Sequence, residues 1–182
     1  MPNFFVISVM AEDRTGIVAD VTTAIRDLGG NLADMSQTVL RGHFTMILIA
    51  SFPEAVAPGD IRAALEAVQG ATPFAVGLRA CPAEPPVEQA AIDERQYVLT
   101  AVGPDRTGLV SAVAEYLRQK DINIRDLSTC VENGVYTMIL LLELPPGTDV
   151  ARLKRSLQIA MEDVALNVEI RHHALFRSTN EI

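Results

Sequence analysis

An α+β fold, made of two successive copies of one strand-helix-strand-strand-helix-strand unit, is the architecture this sequence predicts, and three observations predict it. The first is self-similarity. Asp13-Arg14-Thr15-Gly16 recurs as Asp105-Arg106-Thr107-Gly108, and the same offset of 92 residues carries Asn31 onto Asn123, Asp34 onto Asp126, Ser36 onto Ser128 and Thr45-Met46-Ile47-Leu48 onto Thr137-Met138-Ile139-Leu140. A shared register without insertion is the mark of one structural unit written twice. The second is the order of β-rich runs and amphipathic stretches, which is the same in both copies. The third is length: 182 residues divide into two units, each large enough for one modest hydrophobic core.

Each copy opens with an apolar run, Phe4 to Met10 or Tyr97 to Gly103, rich in Val, Ile and aromatics and ended by Glu12-Asp13 or Pro104-Asp105; both read as buried central strands. An amphipathic helix follows, with Ile17, Val18, Val21, Ile25 and Leu28 on its apolar stripe, matched by Leu109, Val110, Val113 and Leu117. Gly29-Gly30 stops the first of these helices, and Asp121 and Asn123 bracket the stop of the second. Strands over 32–40 and 43–52 are joined at Arg41-Gly42, and strands over 124–132 and 135–144 at Asn133-Gly134, a strong hairpin signal. A second helix carries Ile61, Ala64, Leu65 and Val68, or Val150, Leu153, Leu157 and Met161, and residues 72–79 and 164–171 close each unit as a last strand.

One hairpin and two crossovers in this order give the ferredoxin-like, or split βαβ, arrangement: a four-stranded antiparallel sheet with two helices on one face. The expected organisation is a first domain over 1–80, a Pro- and Glu-rich linker over 81–95 containing Cys81-Pro82-Ala83-Glu84-Pro85-Pro86, and a second domain over 96–182.

Composition narrows the function classes. The net charge of −8 spreads as −3, −3 and −2 over the first domain, the linker and the second domain, so neither domain offers the basic face that phosphate neutralisation requires, and direct nucleic-acid binding is not expected. Cys81 and Cys130 do not occupy equivalent repeat positions, and two reduced thiols are expected. The apolar N-terminus lacks a basic leader and meets Glu12-Asp13-Arg14 too early for a signal peptide or membrane span, which reads as a cytoplasmic protein. His43, His172 and His173 have no counterparts in the sister copy, and no Gly-x-Ser-x-Gly, Cys-x-x-Cys or phosphate loop occurs, so no catalytic residue, metal site or cofactor is expected.

The residues that carry chemistry lie where the first strand of each copy runs through Asp-Arg-Thr-Gly straight into a helix. Helix-start N–H groups without intrahelical partners make a cradle for a carboxylate, and Gly permits close approach. On these grounds alone Asp13 and Asp105 read equally well as helix caps, and Asn31 and Asn123 as partners of a helix C-terminal turn.

Two such units, each with Asp-Arg-Thr-Gly-(Ile/Leu)-Val after the first strand and Asn-(Leu/Ile)-x-Asp before the second, resemble tandem ACT-domain proteins, in particular the glycine cleavage system transcriptional repressor family. Many relatives have Pro where this chain has Thr15 and Thr107. The resemblance implies a regulatory protein that binds a small amino acid, possible ligands being glycine or serine, and forms homo-oligomers. It would act through a protein partner, a transcription regulator, rather than on DNA. It places Asp13, Arg14, Thr15, Gly16, Ile17, Asn31 and Asp34 at one site and Asp105, Arg106, Thr107, Gly108, Leu109, Asn123 and Asp126 at the other. The alternative is an ACT-type oligomerisation module without a small-molecule ligand.

Overall fold

The computed structural model describes residues 3–68, 73–81 and 94–174, and the chain divides into two units, Met1–Val87 and Glu88–Ile182. The first contains β1 (Asn3–Glu12), α1 (Ile17–Asp27), β2 (Asn31–Leu40), β3 (His43–Phe52), α2 (Pro58–Glu66) and β4 (Ala75–Cys81); the second contains β5 (Gln96–Pro104), α3 (Leu109–Gln119), β6 (Asn123–Glu132), β7 (Val135–Glu143), α4 (Val150–Met161) and β8 (Asn167–His172). The sheets run β2-β3-β1-β4 and β6-β7-β5-β8, with every neighbouring pair antiparallel. This is the predicted ferredoxin-like order in both copies.

The 92-residue offset holds to the last strand, because Phe5 faces Ala80 as Tyr97 faces His172. Two boundaries and one buried stripe differ from expectation. The strand expected over 72–79 runs to Cys81, which pairs with Phe4 and so belongs to the sheet rather than to the linker; residue 72 and linker residues 82–93 lie outside the described residues. The strand expected from 164 starts at 167, after a turn in which Ala165 takes a φ of 55°. Val18 and Val110, expected on the buried stripes, are exposed. One position is about 100° of helical rotation, enough to carry them off the face defined by Ile17, Val21 and Ile25.

In the first unit alternate residues of β1 (Phe5, Ile7, Val9) and β3 (Phe44, Met46, Leu48, Ala50, Phe52) meet Ile17, Val21 and Ile25 of α1 and Ile61 and Leu65 of α2. In the second, Leu99, Ala101, Met138, Leu140 and Leu142 meet Leu109, Val113 and Leu117 of α3 and Leu153, Leu157 and Met161 of α4. The copies differ by a volume exchange. A Cβ on Gly30 would lie 2.6 Å from the Phe52 ring, whereas the second copy has buried Ile122 and Leu144 at the equivalent positions. A large ring in one copy and a branched aliphatic chain in the other fill the same corner.

On α3 the Glu115 carboxylate accepts two hydrogen bonds from Arg118, at 2.7 and 2.9 Å, and one from Gln119 at 3.0 Å. The Arg118 bonds, then the Gln119 bond, hold the Glu115 carboxyl down to about 2 against an ordinary 4.5. A carboxyl depressed in the folded state stabilises that state above its unfolded value, and the contribution disappears as pH falls from about 4.5 toward 2. Side-chain carbonyl NMR is expected to find a Glu115 midpoint near 2; a midpoint at the ordinary value would show the pair to be unformed in solution.

Candidate ligand-binding turns

The Asp-Arg-Thr-Gly turns are built alike. Gly16 and Gly108 are the N-cap residues of α1 and α3, both with φ of 93°, and neither helix start has a side-chain cap hydrogen bond. That left-handed conformation excludes ordinary side chains and explains the recurring glycine. Where this chain does cap a helix with aspartate, the bond is plain: Asp149 Oδ1 accepts from Arg152 N–H at 2.9 Å at the start of α4. Asp13 and Asp105 do not cap, so the capping alternative is corrected. Their backbone N–H groups instead donate to the carbonyls of Gly42 and Gly134 at 2.8 and 3.0 Å, tying each turn to the tip of its hairpin.

The first intrahelical bonds are Asp20 N–H to Gly16 O at 2.9 Å and Ala112 N–H to Gly108 O at 3.0 Å, so the amides of residues 17–19 and 109–111 precede the α-helical ladder. Asp13, Thr15, Gly16, Asp105, Arg106, Thr107 and Gly108 are exposed, and Arg14 is half-buried. Ile17 and Leu109 are not available as side chains: each is 2% exposed and packed into its unit's core, leaving only backbone N–H to contribute. The structure thus brings Asp13 to Gly16 together, and Asp105 to Gly108, around a helix start.

It does not bring Asn31 and Asp34, or Asn123 and Asp126, to the same place. Glu12, next to the turn, pairs with His43, while Asn31 pairs with Ser51, eight residues further along β3 and hence about 26 Å away at strand rise. Within one unit a molecule the size of an amino acid reaches one set or the other. The Asn-x-x-Asp spacing has its own structural cause. The β2–β3 register shifts between Leu32 and Asp34, and the β6–β7 register between Ile124 and Asp126. The extra residue of a β-bulge puts Asn31 and Asp34, three apart, on the same helix-free face. The helix end that Asn31 was expected to satisfy is closed by backbone bonds from Gly29 N–H to Arg26 O and Gly30 N–H to Ile25 O. Asp34 borders an open groove of 240 Å³ with Val6, Ser36, Ile47 and Ile49, and Asn123 borders a recess of 370 Å³ with Arg118, Asp121 and Ile124.

Two residues of the first turn were missed. Arg14 Nη2 donates to Asp20 at 2.7 Å, Arg14 Nη1 donates to the Thr15 carbonyl at 3.2 Å, and the guanidinium lies 5.9 Å from the centre of the Phe74 ring. The signal lay in the places where the repeat fails: Asp20 corresponds to Ala112 and Phe74 to Leu166. Among the histidines, His43 is exposed at the hairpin, and His172 stacks edge-on against Tyr97 at 5.0 Å with Nε2 3.3 Å from the Glu94 carbonyl. Among the described residues no group of three or more His, Cys, Asp or Glu could hold a metal, and no helix is long and apolar enough to cross a membrane.

A model of the ACT domain matches residues 3–72 and again 95–171. A UPF0237 protein of Methanocaldococcus jannaschii is 30% identical over 88 residues, which cover 48% of this chain and 98% of that one. A UPF0237 protein of Clostridium perfringens is 29% identical over 86 residues, covering 47% of this chain and 97% of that one. Relatives of this size correspond to a single unit. Among solved structures, an unknown protein from Galdieria sulphuraria superposes with a TM-score of 0.72 at 26% identity, covering 94% of this chain and 98% of that one. A candidate glycine cleavage system transcriptional repressor superposes with a TM-score of 0.64 at 17% identity, covering 94% of this chain and 97% of that one, a likeness of fold.

Proposed function

The chain belongs to the ACT-domain family, carrying two such domains in tandem, and we propose that it is an amino-acid-binding regulatory protein whose ligand sites are the Asp-Arg-Thr-Gly turns. The observation that supports this most is the pair of identical helix starts, each with a glycine at φ of 93° and no side-chain cap. At both, the amides of the first helical residues precede the intrahelical ladder, and a ligand carboxylate there is favoured by the amides and by the helix dipole. Asp13 or Asp105 would take the ammonium group and Arg14 or Arg106 a carboxylate oxygen, by charge-assisted hydrogen bonds. Asn31, Asp34, Asn123 and Asp126 join the same ligand only when a homo-oligomeric partner chain supplies them.

The protein then regulates rather than catalyses: ligand occupancy biases one arrangement of domains over another, and a protein partner, a transcription regulator in the cytoplasm, responds to it. A net charge of −8 supports contact with a protein rather than with DNA. The structure of a candidate glycine cleavage system repressor on the same fold makes glycine and serine the first ligands to try. Calorimetric titration of the full chain with the twenty amino acids is expected to find at least one micromolar-to-millimolar binder, and flat traces throughout would remove the sensing role. The second reading, an interaction module without a ligand, is favoured by Met10 and Ile47, which are 54% and 52% exposed on the helix-free face of the first sheet; the same flat traces would favour it.

A further inference from the structure

We propose that the two turns are unequal, the first being held shut by its own side chains so that the second is the higher-affinity site; this rests on the amino-acid-binding reading above. In the first turn the Asp20 carboxylate lies 2.7 Å from Arg14 Nη2, the position a ligand carboxylate would take on that guanidinium. Thr15 O accepts from Nη1 and the Phe74 ring lies 5.9 Å from the guanidinium carbon, so a charge, a carbonyl and a π face all act on the cation. Asp20 is tethered one helical turn from the site, and a free ligand competes against its high effective concentration.

Among the described residues the second turn shows none of these contacts. Its counterpart of Asp20 is Ala112, its counterpart of Phe74 is Leu166, and among the described residues Arg106 makes no ion pair. Where the first unit has Ala19, the second has Ser111, whose hydroxyl donates to Gly108 O at 2.8 Å and keeps its lone pairs for a ligand ammonium. The charged groups Asp13, Arg14 and Asp20 sum to −1 at the first turn, and Asp105 and Arg106 to zero at the second, so a carboxylate meets less repulsion at the second. A duplicated sensor with one closed turn binds one ligand per chain and keeps the other turn as a fixed structural copy.

The clasp is testable without a ligand, and then with one. Full-length protein is labelled with phenylglyoxal and the modified arginines are mapped by mass spectrometry. Arg106 is expected to react at least about threefold faster than Arg14, Asp20→Asn to bring Arg14 toward the rate of Arg106, and Ala112→Asp to slow Arg106. Equal rates in the wild type, or an Arg14 rate unmoved by Asp20→Asn, would overturn the clasp. Calorimetry with the twenty amino acids, glycine and serine first, is then expected to give, for the one that binds, one equivalent for the wild type, two for Asp20→Asn, and an affinity about fivefold weaker for Ala112→Asp. Two equal equivalents in the wild type overturn the inequality and leave the sensing role standing. Flat traces for all three proteins, with the labelling difference intact, overturn the amino-acid reading and the ligand half of this inference with it.

Discussion

Gly108→Val is expected to abolish amino-acid binding at the second turn while leaving the protein folded. The position has a φ of 93°, where a β-branched residue is a steric outlier, so the substitution costs about 1–3 kcal/mol of stability. Space is not the obstacle, since the nearest atom to an added Cβ is Ser111 Oγ at 3.7 Å. The loss of function has a different origin: either the backbone leaves the left-handed region and turns the helix-start amides away, or the isopropyl group stands where the ligand carboxylate approaches. Gly108→Asn separates the two, because Asn accepts positive φ at lower cost. It is expected to recover most of the stability and little of the binding. Gly16→Val, at the clasped turn, is expected to cost similar stability with a smaller effect on binding. Calorimetry beside circular-dichroism melting measures both effects, and folded Gly108→Val with unchanged binding would refute the site.

Leu140→Ala is expected to destabilise the second unit by about 2–5 kcal/mol. Leu140 is fully buried at the middle of β7, facing Leu99 across the sheet and packed in a core formed with α3 and α4. Truncation removes apolar contact and leaves a cavity that close-packed neighbours fill only in part. The loss should appear as reduced hydrogen-exchange protection across β5, β7 and α3. Ile139→Ala, one residue away and 40% exposed on the opposite face, is expected to cost much less. Similar losses at the two positions would contradict the assigned sheet register.

The fold was legible because local and global signals agree twice over. Apolar alternation, the Asn133-Gly134 hairpin and the helix stop at Gly29 each named their element, and the repeat supplied a second reading of every weak one. Arg41 is the instructive case: it is a poor turn residue, yet it takes a φ of 50° because its hairpin copies that of Asn133, at 51°. Val18 and Val110 were misplaced because a contiguous apolar pair hides which member lies on the stripe. The last strand of the second unit begins later than expected because its start depends on the preceding turn, whose left-handed Ala165 carries no sequence signature.

The candidate site was legible in part. Asp-Arg-Thr-Gly located the turn, but sequence spacing could not distinguish an aspartate that caps from one whose backbone ties the turn to a hairpin tip. Nor could it show that Ile17 and Leu109 point inward, or that a bulge at Ala33 and Arg125 aligns Asn with Asp on a distant part of the sheet. The Arg14 clasp depends on a contact between the start of α1 and Phe74 before β4, residues far apart in the chain. Comparison of the two copies position by position exposes it, since Asp20 and Phe74 are among the places where the duplicated turn is not duplicated.

The most direct test of the turn as the ligand site is amide NMR mapping on the full-length protein during titration with glycine, serine and any further amino acid that calorimetry finds. Saturable shifts are predicted for Asp105 to Ala112, centred on the amides of Gly108 to Ser111, with weaker ones at Asp13 to Asp20. Saturable shifts confined to other surfaces, such as the groove beside Asp34 or the recess beside Asn123, or no shifts with any amino acid, would contradict it.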